Sequence, residues 1–431
     1  MQISARLVSI KGPKYPFTEN NIDSYHDPNT LFKDVNWPDA NDWPTVKDLE
    51  KLSYENFNFL EILYCTNLPT EQLNAISKYV NNGLVTLFYF GVSEVNHRFK
   101  YEKIFKRLKS CNINTKNVVI LEADKNNSKY FKNSFDFWLD LIHMKRVFGG
   151  KEGLENKYFE KSLNYFDTTK QKQKKFLCLN NVLRVHRLYI MYKLFDYWED
   201  GFVSMVGLFQ LISGRMSIKN LFNNLKSLLI HVGEYENDEK IYKFLLELPL
   251  ELDTTVISNE TAGSFHGDMP SFDITSNAYF SIANECSFGN MLFLGDSIYN
   301  GLTDKNDKEY FKNSTWPGEK VLKSICFIPT IAVGDPNMLK YIRSYGFKTF
   351  HPYIDESYDE VEDDEERLKM LVLEINRLLK MKPSELHEMW IQCIPIIKHN
   401  IEVLKNVDVQ KIYVDVTTKI CNTVTEFRSS L

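Results

Sequence analysis

Two short apolar runs, Tyr279–Ala283 and Ile328–Val333, each stop abruptly at polar or glycine residues, and this pattern restricts the fold more than any other. Short unbroken apolar runs bounded by turn residues mark strands buried on both faces, as in parallel sheets. Asn284-Glu285 follows the first run and Gly334-Asp335 the second. Between them Gly318-Glu319-Lys320 opens a short helix. In an open α/β sheet, ligands bind outside the carboxyl ends of the strands. Glu285, Glu319 and Lys320 are therefore expected to converge on one crevice, with the amide-rich helix start facing it. Such a crevice suits an anion of the nucleotide diphosphate type.

The same alternation is read along most of the chain. Strands are expected at Ile3–Ile10, Phe59–Cys65, Leu84–Phe90 and Val118–Glu122. Helices are expected at Thr70–Asn81, with Thr70 as N-cap, and at Phe99–Ser110. The aromatic-rich stretch Tyr130–Val147 reads as helical. Apolar periodicity fades over 151–175 and a second alternation then begins: strand Phe176–Leu179, helix His186–Trp198, strand Phe202–Val206, helix Ile218–Ile230, and a short strand at Thr255–Ser258. Helices close the chain at Glu365–Lys380, Pro383–Val403 and Val409–Phe427. Strand–helix alternation of this kind implies parallel sheets. The expected division is 1–170, 171–380, and a C-terminal helical part, 381–431, packing across the other two.

Composition narrows the class. The chain has 431 residues, 43% hydrophobic and 25% charged, as in an ordinary globular protein with room for two domains. The net charge of −5 supplies no global basic field for nucleic acid. Two local basic runs, KYEKIFKRLK (100–109) and KQKQKK (170–175), are the segments available to line a basic groove. Seven scattered cysteines with no C-x-x-C pair argue against a zinc site and fit a reducing compartment. The start MQISARLVSIKGPK lacks the apolar core of a signal peptide, and no apolar run is long enough to span a membrane. The expectation is a cytoplasmic protein, monomeric or homodimeric.

The order Asn284-Glu285, Gly318-Glu319-Lys320, then Pro329-Thr330-Ile331-Ala332-Val333-Gly334 resembles the donor-binding half of fucosyltransferase-like glycosyltransferases. The pieces Gly-Phe-Lys-Thr-Phe (346–350) and Asp-Glu-Ser-Tyr-Asp (355–359) look like a branch of such enzymes met in phage and giant-virus genomes. Gly318 departs from the family, which usually has Thr or Ser there, and a polar insertion over 287–316 separates the motifs. The resemblance implies an α/β GT-B architecture: two Rossmann-like domains facing a cleft, acceptor on the first and nucleotide sugar on the second. It implies an inverting transfer. The acceptor is either a glycan or a hydroxymethylated pyrimidine in phage DNA. A bacterial or virus-infected host cytoplasm is the implied setting. A different class remains open: a non-catalytic nucleotide-sugar-binding or scaffold protein of the same fold.

Sugar transfer needs a stabilised leaving diphosphate, a base for the acceptor hydroxyl and a held sugar. Lysine and arginine replace a metal in the first task. No D-x-D sequence stands in a suitable loop, so no catalytic metal and no cofactor are expected. Arg184, His186 and Arg187 lie where a helix starts after the strand 176–179, with Asn180-Asn181 as the turn. Cations there oppose the helix dipole unless an anion is present. The alternative for Arg187 is a surface pair with Asp200. By resemblance Arg187 is the best match to the family's phosphate-binding arginine and Arg184 the second, beside Lys320 and Asn181. Glu319 follows the family pattern for ribose or sugar contacts, and Glu285 and Gly334 line the same strand ends. Tyr358, with Asp355, is placed over the base; the alternative is a capped turn before the acidic helix. Glu94, in FGVSE after a strand end, is chosen as general base ahead of His97, Glu122 and Asp124. His266 lies in a Gly/Ser-rich loop and is assigned no role.

Overall fold

The computed structural model describes residues 6–11, 45–62, 69–90, 100–122, 133–136, 141, 144, 166–180, 184–205, 217–248, 272–285, 288 and 317–431. Their strands are β1 (Arg6–Lys11), β2 (Asn56–Ile62), β3 (Thr86–Phe90), β4 (Val118–Glu122), β5 (Asn133–Asp136), β6 (Lys174–Asn180), β7 (Gly201–Met205), β8 (Ala278–Asn284) and β9 (Thr330–Val333). Their helices are α1 (Val46–Leu49), α2 (Thr70–Asn81), α3 (Lys100–Ser110), α4 (Val185–Lys193), α5 (Ile218–His231), α6 (Asp238–Leu246), α7 (Phe272–Ser276), α8 (Glu319–Ile325), α9 (Met338–Ser344), α10 (Asp364–Lys380), α11 (Pro383–Lys405) and α12 (Val409–Ser429). The molecule is of mixed α/β class with two sheets. Among the described residues no helix is long and apolar enough to cross a membrane.

The chain divides into two compact units, Met1–Ile142 with Asp408–Leu431, and His143–Val407. The division falls earlier than the expected 170/171. Of the two helices expected within 381–431, α11 belongs to the second unit and α12 to the first.

In the first unit the strand order is β1-β2-β3-β4-β5. β1 runs antiparallel to β2 and the other pairs are parallel. Side chains alternate across a strand, and the core follows that period. Leu60, Leu87, Val118 and Ile120 pack with α1, α2 and Leu108 of α3. Their neighbours Phe59, Phe88, Val119 and Leu121 pack with Val416, Ile420 and Val424 of α12. The last helix thus covers a sheet face that no local helix covers among the described residues. Arg428 fixes it there by donating to the carbonyls of Gly83, Tyr54 and Asn56, each at 2.8 Å. The expected helix at Tyr130–Val147 is corrected over Asn133–Asp136, which extends the sheet as β5 beside β4. The backbone there serves β4's open edge, and side-chain content alone does not reveal this. Pro69, not Thr70, is the N-cap of α2.

In the second unit the order is β7-β6-β8-β9, and every pair is parallel. β8 and β9 are buried along their whole length, their polar residues Ser281, Asn284 and Thr330 included, as in a parallel sheet covered on both faces. The expected strand at Thr255–Ser258 lies outside the described residues.

Candidate functional site

The carboxyl ends of β6, β8 and β9 carry Asn180, Asn284-Glu285 and Gly334-Asp335 side by side, all but Gly334 buried polar groups. Glu285 is the centre. Its backbone N–H donates to Val333 O at 2.8 Å, continuing the ladder one residue past β8. Its carbonyl accepts from His186 Nε2 at 2.9 Å and from Arg187 Nε at 3.1 Å. Its carboxylate Oε1 accepts from the Val321 N–H, in the first turn of α8, at 3.0 Å. One residue therefore ties the start of α4, the start of α8 and the end of β8 together.

Two glycines make room for it. A Cβ at Gly318 would lie 2.4 Å from Glu285 Oε2, and one at Gly334 would meet Met338 Cε at 2.8 Å and Glu285 Cβ at 3.3 Å. Any side chain at 318 would require this carboxylate to move, which accounts for the glycine there.

The electrostatics oppose one another. Burial to 1% exposure pushes the Glu285 carboxyl up from its usual range, while Lys320, the Val321 amide and Arg187 pull it down and Glu319 pushes it up. Glu319 pairs with Lys323 at 3.3 Å, one helical turn along α8. His186 is fully buried, and its pKa lies well below the usual histidine value, first through burial and then through the Arg187 cation. A carbonyl only accepts, so His186 Nε2 carries the hydrogen. Phe288 is sandwiched between the His186 ring, 5.5 Å away and stacked, and the Arg367 guanidinium at 4.4 Å. Arg367 also donates to Gly334 O at 3.2 Å and to Val361 O at 2.8 Å, and pairs with Asp364.

Of the residues singled out from sequence, the structure gathers Arg184, Arg187, Glu285, Glu319, Lys320 and Gly334 at these strand ends. Arg184 is the buried N-cap of α4. Arg187 is fully buried, and Asp200, its suggested surface partner, pairs with Lys175 at 3.2 Å instead. Tyr358 lies beside β9 with its ring buried. At 2% exposure its hydroxyl accepts from the Ala332 N–H on edge strand β9 at 3.2 Å, so its ring does not offer a stacking face. Asp355 caps a turn by accepting from the Ser357 N–H at 3.0 Å, the simpler of its two readings. Asn181, Glu94, His97, Asp124 and His266 lie outside the described residues, as does the Glu122 side chain. Sequence reasoning missed Arg367 and Phe288. Arg367 is hidden in the acidic run that opens α10, and Phe288 stands three positions after Glu285 with no periodic signal.

The basic run at 170–175 does not form an open stripe. Lys170 pairs with Asp167, and Lys172 donates to Ser276 O and lies over the Trp390 ring. Lys174 donates to Glu199 O and Lys175 to Leu379 O. These cations hold the lead into β6 against the rest of the unit. Among the described residues no group of three His, Cys, Asp or Glu is placed to hold a metal ion. No family model, curated protein or solved structure matches the chain.

Proposed function

We propose that the protein is an inverting, metal-independent glycosyltransferase of GT-B architecture whose second unit binds a nucleotide sugar. The observation that carries this is Glu285, which holds the amide-rich start of α8 and the arginine-bearing start of α4 at the carboxyl end of β8. Helix starts and fixed cations converging at parallel strand ends favour a bound anion. Half-buried Lys320 stands next to Glu319 in the same turn and keeps partial access to solvent. In the transfer, the acceptor oxygen attacks the anomeric carbon and a base, Glu94 in this proposal, takes its proton. The bond to the diphosphate breaks, and the electron pair leaves with the diphosphate. Lys320 and Arg187 offset the charge that develops there. The acceptor is a glycan or a hydroxymethylated pyrimidine, met in the cytoplasm; the commitment of the 170–175 lysines within the unit favours the glycan.

Lys320→Ala tests this in single-turnover kinetics. Removing one preorganised group from a developing charge costs about 3–4 kcal/mol, so turnover is expected to fall by at least about a hundredfold with donor binding and fold retained. Lys320→Arg restores only part of it, because a planar fork does not replace a compact ammonium. Activity is expected to survive EDTA. Unchanged turnover in Lys320→Ala rejects the site, and turnover lost on chelation and restored by a divalent ion rejects metal independence. A protein that binds the donor without any turnover is the non-catalytic alternative.

A further inference from the structure

Among the described residues, two buried acceptors at the strand ends have no hydrogen-bond donor: Nδ1 of His186 and Oδ1 of Asn284. Both side chains are 0% exposed. Asn284 uses its amide nitrogen on Asn180 Oδ1 at 3.1 Å and on Cys178 Sγ at 3.4 Å. His186 uses Nε2 on the Glu285 carbonyl, so its imidazole spans from the first turn of α4 to the end of β8. An unsatisfied buried acceptor carries a desolvation cost, and most such groups in folded proteins have a partner. The missing partner has to be a donor. A fully ionised phosphate cannot supply one, and burial first, then the surrounding cations, keep the imidazole neutral. Those facing it are Arg184 and Arg187 on its own helix and Lys320 on α8, with Arg367 of α10 behind the stacked Phe288 ring. The facing acid is Glu285 on β8, which meets it through its carbonyl.

We infer that His186 Nδ1 and Asn284 Oδ1 accept hydrogen bonds from hydroxyls of the bound ligand, which makes this end of the crevice a polyol subsite beside the anion-binding cations. This rests on the nucleotide-sugar proposal and extends it from the diphosphate to the hydroxyl-bearing part of the ligand. The hydroxyl belongs to either the ribose or the transferred sugar.

The test is a cycle between protein and ligand. In His186→Gln the side-chain amide nitrogen takes the place of Nε2 and keeps the donor to Glu285, while no acceptor remains at the Nδ1 position. Affinities are measured for uridine and guanosine diphosphates, their 2′-deoxy forms, the matching hexose nucleotides and deoxyhexose nucleotides. The parent is expected to lose about five- to tenfold in affinity when the relevant hydroxyl is removed, the worth of one hydrogen bond. The variant is expected to bind the hydroxylated ligand about five- to tenfold more weakly than the parent and to be indifferent to the deletion. A penalty that follows 2′-deoxyribose assigns the ribose, and one that follows the deoxyhexose assigns the sugar. Equal penalties in the two proteins, or none in either, overturn the inference while leaving nucleotide binding intact. A parent that binds none of these ligands overturns the nucleotide-sugar proposal and this inference with it. Should His186→Gln not fold, the ¹⁵N resonance of His186 Nδ1 in the parent decides. It must move in the hydrogen-bonded direction with the hydroxyl ligand and stay with its deoxy analogue; no movement with either overturns the inference.

Discussion

The two units bury different kinds of polar group. In the first, the buried polar side chains among the described residues are neutral: Asn58, Thr86, Asn117, Asn133 and Thr417. Asn117 donates to the carbonyls of Val80 and Val85, each at 2.7 Å, and accepts from Thr86 Oγ1. These amides satisfy backbone ends and ask for nothing else. In the second unit charged groups are buried as well, among them Arg184, Arg187, Glu285, Lys323, Asp335, Asp359 and Arg367. A buried charge is costly and contributes little net stability over a well-packed apolar substitute. The first sheet is closed with neutral amides and hydroxyls alone among the described residues, so buried charge is a feature of the second unit and not a requirement of the sheet.

The comparison breaks most visibly at Arg367. Replacement by Met leaves the Gly334 carbonyl and the Asp364 carboxylate without their buried donor. The expected loss is about 3–5 kcal/mol in the second unit, read from urea denaturation. A loss below about 1 kcal/mol would mean that the buried charges are as dispensable as surface pairs.

A smaller effect separates the units by pH. Burial pushes the Asp359 carboxyl from its ordinary 3.8 up to about 6, against the Leu339 and Lys340 N–H groups that it accepts from and the Arg343 cation. The folded state then binds this proton more tightly than the unfolded one. Stability from this group is therefore greatest in acid and falls as pH rises from the ordinary carboxylate range to about 6, by up to about 1.4 kcal/mol per unit. Comparing the parent with Asp359→Asn isolates it. The variant is expected to lose this part of the slope, and an unchanged slope contradicts the assignment.

The smallest change belongs to the first unit. Asn117→Ala is expected to cost about 1–2 kcal/mol, because two carbonyls and one hydroxyl lose a neutral partner. That cost is expected to be the same at pH 5 and pH 8, since no charge is involved. A pH-dependent cost would blur the distinction between the units.

The strands of both sheets were largely legible because buried parallel strands read as short, mainly apolar runs bounded by turn residues. Glu285, Glu319 and Lys320 were legible because strand-end and helix-start positions follow from those runs. Where side chains then reach was not. Tyr358 sits in a polar, aromatic segment that reads as a surface turn, yet its hydroxyl serves the open edge of β9. Arg367 lies in a run of acids that reads as a solvated helix face, yet it reaches back to Gly334. The return of α12 to the first unit depends on matching its apolar stripe to a sheet face built from residues early in the chain, and no local period encodes that match.

Under the proposed function, the strand ends of the second unit bind a nucleotide sugar. Thermal-shift titration of the parent and Glu319→Gln against UDP-, GDP-, CMP- and dTDP-sugars, with EDTA present, tests it most directly. A ligand at a hundred times its Kd stabilises the native state by about 2.7 kcal/mol. One nucleotide class is expected to raise the parent's Tm, and Glu319→Gln is expected to need more of it for the same shift. No shift with any of the four, or an equal titration in both proteins, would contradict it.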